Sequence, residues 1–118
     1  MGSVAEDRPR AGFLADVLKA LAHPARLRIV AVLCEGETNV LGLAERLDLR
    51  QAIVSQQLRI LRMSGLVAAE RRGGRSLYGL AQPRLRELVS CLEGCHAQRD
   101  GSEWAPRAPV AKRRGTRP

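Results

Sequence analysis

The stretch LRQAIVSQQLRILR, residues 49–62, separates apolar from polar side chains with the period of a helix. Its apolar residues share one face, which predicts an inward side of Ile53, Val54, Leu58 and Leu61, with Ile60 as an extra apolar position. The outer face carries polar side chains, namely Gln51, Ser55, Gln56 and Arg59. Gly65 follows as a helix stop. The flanking segments decide what this outer face contacts.

Three further helices are predicted before this stretch. The first begins at Gly12 and has one apolar face, formed by Phe13, Leu14, Val17, Leu18 and Leu21. It ends at His23-Pro24, because a residue before proline avoids the helical region, and Pro24 then opens a second helix that ends at Gly36. Thr38 is predicted to cap a third helix, whose inward side is Val40, Leu43, Ala44 and Leu47.

A change of period follows the quoted stretch. Residues 66–69 and 76–80 are short apolar segments on either side of ERRGGR, and Gly73-Gly74 can form the tight turn of a β-hairpin. Pro83 opens a last helix with an apolar stripe of Leu85, Leu88, Val89 and Leu92. The predicted fold is therefore mainly α with one small β-hairpin.

Composition predicts one small domain with an aliphatic core. The chain has 118 residues, 45% of them apolar, and its three aromatic residues are Phe13, Tyr78 and Trp104. So small a core is marginal alone, which favours a dimer. We expect a flexible arm at residues 1–11, the folded domain at residues 12–97, and a disordered basic tail at residues 98–118.

The charge balance points to a polyanionic partner. Lys and Arg number 20 against 12 Asp and Glu, a net charge of +8, and nucleic acid is the usual partner of so basic a chain. A merely solvated charged surface is the alternative. No apolar run approaches the length of about 20 residues that spans a bilayer, and no secretory segment is recognisable, so we expect a cytoplasmic protein without membrane contact.

The order of elements is that of a winged helix-turn-helix, in which the polar-faced helix enters the DNA major groove. A glutamine amide can pair with adenine, serine can bond to either base type, and Arg59 and Arg62 would meet phosphates. The hairpin tip carries Arg71, Arg72 and Arg75, which could follow the minor groove or the backbone. Taken singly, the helix face and the hairpin could also be ordinary solvated surface.

Residues 13–92 resemble the ArsR family of bacterial transcriptional repressors. The resemblance rests on LAHPARLRI, on the VSQQL segment that ends in GLV, and on RRGGRSLYGL. It implies a homodimer through the first and last helices, an inverted-repeat operator, and an inducer that releases the DNA. By matching position, the DNA-binding residues are Gln51, Ala52, Ser55, Gln56, Arg59, Arg71, Arg72 and Arg75. Leu49 stands where the family usually has a Ser or Thr cap, so this helix start is expected to fray without DNA.

Three cysteines, Cys34, Cys91 and Cys95, are the candidate inducer site and the candidate metal ligands. Segment 37–43, ETNVLGL, lacks the cysteine cluster of many metal-sensing family members, and the last helix lacks their Asp/His array. Thiolates suit arsenic(III), antimony(III) or cadmium(II), and they also suit a disulfide or polysulfide switch. The quoted stretch resembles the branch of the family that senses persulfide or oxidants. That branch has one cysteine on the second helix and one on the last, and Cys34 and Cys95 lie slightly displaced from those positions. Cys34 could alternatively be a small core residue.

The predicted function is sequence-specific repression, relieved by an inducer at the cysteine thiols, with no cofactor required for DNA binding. A non-sensing architectural or nucleoid-type DNA-binding protein is the alternative, and a preference for the protein's own promoter would separate the two. An enzyme is not expected, because no CxxC pair and no cluster of acid, base and nucleophile is recognisable.

Overall fold

A computed structural model describes residues 2–100, with side chains described through residue 95. Within this range, a short 3-10 helix, Val4–Glu6, precedes five α-helices and a two-stranded antiparallel sheet. The helices are α1 (Arg8–Leu21), α2 (Pro24–Glu35), α3 (Val40–Leu47), α4 (Gln51–Met63) and α5 (Leu85–Asp100), and the strands are β1 (Val67–Arg72) and β2 (Arg75–Leu80). This order confirms the predicted winged helix-turn-helix.

The chain divides into two compact units between Arg86 and Glu87, inside α5. The first unit holds α1 to α4 and the hairpin. Because α5 runs to Asp100, the first three residues of the predicted tail at 98–118 are helical, and residues 101–118 lie outside the described range. No helix of the described part is both long and apolar enough to cross a bilayer.

The first helix begins earlier than the sequence pattern predicted. Asp7 caps α1, since its Oδ1 accepts a hydrogen bond from the backbone N–H of Arg10 at 3.0 Å, and Pro9 occupies the first turn, where it is tolerated. The 3-10 helix lies just before this cap. Residues 4–6 and 8–11 are therefore helical, and the predicted flexible arm at residues 1–11 is corrected over most of its length.

The start of α2 confirms one prediction, whereas the cap of α3 shows another to be wrong. His23 caps α2, its Nδ1 accepting from the N–H of Ala25 at 3.1 Å, and the break at His23-Pro24 is confirmed. The cap of α3 is Asn39, not Thr38, because Oδ1 of Asn39 accepts from the N–H of Gly42 at 2.8 Å. The backbone of Thr38 instead pairs with that of Tyr78, with N–O distances of 2.7 and 3.1 Å.

The core of the first unit is aliphatic, as predicted. Its largest fully buried side chains come from α2, α3, α4 and the segment after α4: Ile29, Val30, Leu33, Leu43, Val54, Leu58, Leu61 and Leu66. Each such side chain contributes about 1.5–3 kcal/mol on leaving water. This packing holds α4 against α2 and α3, so α4 has a fixed inner face and a solvent face.

Two arginine contacts fix α3 beside α2. Arg46 on α3 makes a two-pronged ion pair with Glu35 on α2, at 2.5 and 3.0 Å, and the guanidinium of Arg28 donates to the Leu47 carbonyl at 2.9 Å. The hydrogen bond from Arg46, helped by its charge, holds the pKa of Glu35 below its ordinary value. Both contacts act at helix ends, where carbonyls and charged groups need partners.

The predicted apolar face of α1 exists, but within the part of the chain that the structure describes most of it is exposed. Phe13 is 60% exposed, Leu18 is 56% exposed and Leu14 is 37% exposed, whereas Leu21 at the end of α1 is buried. A contiguous exposed apolar stripe on a helix marks an interaction surface.

Candidate nucleic-acid interface

The link between α3 and α4 is a tight turn of three residues. Asp48 takes the left-handed conformation, with φ 57°, and the N–H of Leu49 donates to the Ala44 carbonyl at 3.0 Å. This hydrogen bond satisfies a carbonyl near the end of α3, where the left-handed Asp48 reverses the chain. Arg50 is the residue before α4, one position later than the predicted Leu49, and it makes no side-chain cap. The predicted lack of a cap is confirmed, with its position corrected.

The helix α4 has two faces with different surroundings. The inner face buries Val54, Leu58 and Leu61, together with the polar Gln57. The outer face exposes the predicted DNA-binding residues of this helix, Gln51, Ala52, Ser55, Gln56 and Arg59. Ile53, predicted to face inward, is only partly buried and lies at the edge between the two faces.

The outer face of α4 forms an open depression of about 730 Å³. It brings together four predicted DNA-binding residues between two apolar ones, and its lining is Ala52, Ile53, Ser55, Gln56, Arg59 and Ile60. Gln51, in the first turn of α4, lies outside it. The depression thus offers an amide, a hydroxyl and a guanidinium, the groups that pair with base edges and phosphates.

No acidic residue occurs anywhere in α4, Gln51–Met63. Its charges are those of Arg59 and Arg62, in its second half, and both side chains are exposed. An approaching phosphate therefore meets no carboxylate on this helix, while the neutral polar groups lie in its first half. This distribution suits a helix whose N-terminal part contacts bases and whose C-terminal part contacts the backbone.

The hairpin has the tip that the sequence predicted. Gly73 and Gly74 form the turn at φ 56° and 80°, values that side-chain-bearing residues rarely adopt, and the strands extend beyond the predicted segments to Arg72 and from Arg75. Gly65, at φ 77°, ends α4 as predicted.

The tip arginines are all exposed and face two sides of the hairpin. Arg72 and Arg75 are directly paired in the register, so their like charges share one face, and Arg71 lies opposite Ser76 on the other. Like charges placed opposite one another across strands repel. Glu70, in contact with Arg72 at 3.2 Å, offsets only part of that repulsion. The tip is therefore suited to an anion bound between its arginines.

The three cysteines are thiols, and none forms a disulfide. Cys34 lies in the last turn of α2 and is partly buried, and its carbonyl accepts a hydrogen bond from Nε of Arg86 at 2.9 Å. In the second unit, Cys91 is exposed and Cys95 partly buried, one turn apart along α5. Among the side chains described, no three His, Cys, Asp or Glu residues are grouped as metal ligands. The predicted thiol site stays a prediction.

Comparison with known proteins identifies a family. Residues 23–69 match the model of the arsR family of bacterial regulatory proteins. A biofilm growth-associated repressor of Agrobacterium fabrum is 42% identical over 83 residues, 70% of this chain and 71% of the other.

Solved structures agree with that match. The transcriptional repressor BigR from Xylella fastidiosa, 35% identical, superposes with a TM-score of 0.71 over 79% of this chain and 95% of its own. A homodimeric winged helix-turn-helix DNA-binding domain from Mycobacterium bovis, described as a possible ArsR-family regulator, is 29% identical. It gives a TM-score of 0.71 over 86% of this chain and 95% of its own.

The fold and the exposed face of α4 define a winged helix-turn-helix DNA-binding protein. More particularly, the chain belongs to the ArsR family of bacterial regulatory proteins. It is a DNA-binding transcriptional repressor of that family and not an enzyme, as the sequence predicted.

Proposed function

We propose that the protein is a cytoplasmic homodimer that represses its target promoter by binding an inverted-repeat operator, and that an inducer acting at its thiols releases it. The observation that carries the DNA-binding part is the outer face of α4. Gln56, Ser55 and Arg59 are exposed together there, on a helix without acidic residues. In the proposed complex Gln51, Ser55 and Gln56 contact bases, while Arg59 contacts phosphate.

The β1–β2 hairpin, the wing of this fold, extends this contact along the DNA. Arg71, Arg72 and Arg75 are exposed at the tip of a hairpin that begins four residues after α4 ends. In the proposed complex they lie at the neighbouring minor groove or its phosphates. They add affinity for any DNA sequence, whereas discrimination between sequences comes from α4.

Support for a homodimer comes from the uncovered apolar stripe of α1, Phe13, Leu14 and Leu18. Leu92 on α5 is likewise exposed, at 45%. The related domain from Mycobacterium bovis is a homodimer. A two-fold dimer places two copies of α4 about 34 Å apart, one turn of DNA, which accounts for an inverted repeat as the target.

The proposed inducer acts at Cys91 and Cys95, with Cys34 as a further candidate. Side chains four residues apart on a helix have Cβ atoms about 5–6 Å apart, whereas a disulfide needs about 3.5–4.5 Å. Two thiolates on one intact helix therefore suit a bridging arsenic(III), antimony(III) or cadmium(II) ion better than a bond between them. Reactive sulfur or an oxidant acting on single thiols is the other inducer class.

The first test is fluorescence anisotropy with a labelled DNA fragment from upstream of the protein's own gene, and with a shuffled fragment of equal length. For reduced protein we expect a preference for the upstream fragment of about a thousandfold or more. A non-sensing architectural protein would bind both fragments alike, and that result would overturn the proposed function.

The second test adds arsenite, cadmium or polysulfide to the preformed complex. The productive inducer should weaken operator binding by roughly 5- to 150-fold, and a Cys91→Ser/Cys95→Ser protein should not respond. A separate Cys34→Ser protein shows whether the third thiol contributes. If the double variant is released as readily as the wild type, the inducer does not act at this pair.

A further inference from the structure

Gln57 is a polar residue on the wrong side of the recognition helix for DNA contact. It lies on the inner face of α4, between Val54 and Leu61 of the core, and is only 8% exposed. Within residues 2–95 it is the only polar or charged residue that is buried. A buried amide is costly unless it is hydrogen-bonded, so its partner matters.

The partner of Gln57 is Arg26 on α2. Nη1 of Arg26 donates to Oε1 of Gln57 at 2.9 Å. Nε of the same guanidinium donates to the Ala20 carbonyl at 2.6 Å, in the last turn of α1. One cation thus connects the end of α1, its own helix α2, and the inner face of α4.

Pro24 explains why the Ala20 carbonyl is available. In a continuing helix this carbonyl would accept from the N–H four residues later, but that residue is Pro24, which has no N–H. The guanidinium of Arg26, two residues further along, supplies the missing donor. The segment HPAR therefore ends α1, begins α2 and places a cation where it can bond to α4.

This connection controls the rotation of α4 about its own axis. Aliphatic packing against the inner face tolerates small rotations, whereas a charge-assisted hydrogen bond is directional. A rotation of about 20° moves a group about 6 Å from the helix axis by about 2 Å. A displacement of that size breaks the hydrogen bonds that Ser55 or Gln56, the residues directly before Gln57, would make with a base edge.

We infer that Arg26 and Gln57 are positioning residues for operator recognition: they fix the orientation of α4 and connect it to the C-terminal end of α1. The inference rests on the proposed function, in which α4 contacts the operator and α1 lies in the dimer interface. In the proposed complex neither residue touches DNA. A shift of α1 against its partner subunit therefore reaches the base-contacting side chains through a single guanidinium.

The test replaces Gln57 with methionine, which has similar length and no comparable hydrogen-bonding group. Affinities for the upstream fragment and for shuffled DNA are measured by anisotropy at several salt concentrations, at each of which circular dichroism shows each protein to be folded. We expect the upstream affinity to fall by about tenfold to about a hundredfold. The affinity for shuffled DNA and its salt slope should not change, because phosphate contacts tolerate the altered orientation.

Two matched variants separate positioning from stability. Leu58→Met perturbs the packing of the same inner face without removing a hydrogen bond, and should keep the wild-type ratio of the two affinities. Gln57→Glu keeps an acceptor for Arg26, so it should also keep the ratio. If Gln57→Met does not fold, Arg26→Met/Gln57→Met removes both partners and leaves no buried cation without its acceptor. This double variant carries the same expectation as Gln57→Met.

The outcomes are distinguishable. A wild-type protein that does not prefer the upstream fragment overturns the proposed function. A wild-type preference that Gln57→Met, or the double variant in its place, retains in full overturns only the positioning role. An equal loss of preference in Leu58→Met also overturns the positioning role, because altered packing alone would then account for the loss.

Discussion

Gln56 and Gln57 are identical side chains in adjacent positions, and the helix gives them opposite surroundings. Gln56 is exposed in the depression on the outer face of α4, and Gln57 is buried against Arg26. The same amide is therefore available for a base edge at one position and used for an internal contact at the next. The roles of the two residues depend on the direction of the side chain, not on its chemistry.

Replacing Gln56 with alanine tests the outer role. A glutamine that bonds both edges of an adenine contributes about 1–3 kcal/mol of discrimination, so Gln56→Ala should bind the operator about fivefold to about 150-fold more weakly. Its affinity for shuffled DNA should be unchanged, and its free energy of unfolding should stay within about 0.5 kcal/mol of wild type.

Anisotropy titrations and urea unfolding check that expectation. Met63, exposed at the end of α4 and outside the depression, provides the control, because Met63→Ala removes a side chain from the same helix without removing an amide. Unaltered operator affinity in Gln56→Ala would show that this residue does not read a base.

At the residue scale, helical periodicity predicted which residues of α4 are exposed and that Val54, Leu58 and Leu61 face the core, but it did not predict the buried contact of Gln57. The outer residues were found because helical periodicity assigns them to one side. The contact of Gln57 was missed because its partner is Arg26, 31 residues earlier. The available signal in the sequence was Gln57 itself, a polar residue among the apolar residues of the inner face of α4. That signal shows that a buried partner must exist, but it does not identify the partner.

At the scale of elements, α4 begins without a side-chain cap. Arg50 leaves the first backbone N–H groups of the helix without a side-chain acceptor. Arg50→Ser should therefore raise the free energy of unfolding by about 1 kcal/mol, since serine supplies the acceptor. Thermal or urea unfolding measures the change.

Arg50→Ala is the matched control for the cap, since it removes the same positive charge without adding an acceptor. It should leave stability close to wild type. Equal stabilisation by Ser and Ala would point to relief of charge repulsion instead of capping.

The wing calls for a different readout. Replacing Arg71, Arg72 and Arg75 together with alanine should weaken the binding of operator DNA and of shuffled DNA by the same factor. The slope of log K against log salt should fall by about 0.9 for each phosphate that the wing no longer neutralises. Anisotropy at several salt concentrations gives the slope, and an unchanged slope would mean that the wing does not bind phosphate.

The control variant for the wing loses the same number of positive charges, but from a different part of the molecule. Arg8, Arg10 and Lys19 lie on α1, away from the hairpin in the sequence, and their replacement by alanine removes three positive charges as well. That variant should keep a salt slope close to wild type, so the two proteins separate local contact from net charge.

Element boundaries show why some of the fold was predictable. Local signals located the ends of α2 and α4 and the Gly73-Gly74 turn, because proline and glycine act on their own backbone. The cap of α3 was misplaced because Thr38 pairs with Tyr78, 40 residues later, which leaves Asn39 as the cap. Local propensity does not contain a pairing of that kind.

At the scale of the whole molecule, the uncovered stripe of α1 should determine the oligomeric state. Phe13→Glu/Leu18→Glu should be monomeric, because the dimer interface would bury two charges from each subunit without partners. Its operator affinity should fall more than about tenfold, as a single half-site is bound. Sedimentation equilibrium and anisotropy test the two effects.

Met63→Glu serves as the control for that variant, since Met63 is 80% exposed at the end of α4 and outside the stripe. It should remain dimeric. A dimeric Phe13→Glu/Leu18→Glu protein would show that α1 does not form the interface.

The separation of the two faces of α4 has a consequence for how such regulators diverge. The outer residues, among them Ala52, Ser55 and Gln56, make little contribution to the core, so substitutions there cost about 0.5 kcal/mol or less. The inner residues cannot change so freely. After gene duplication, a copy of this protein could acquire a new target promoter through a few surface substitutions while its folding stays intact.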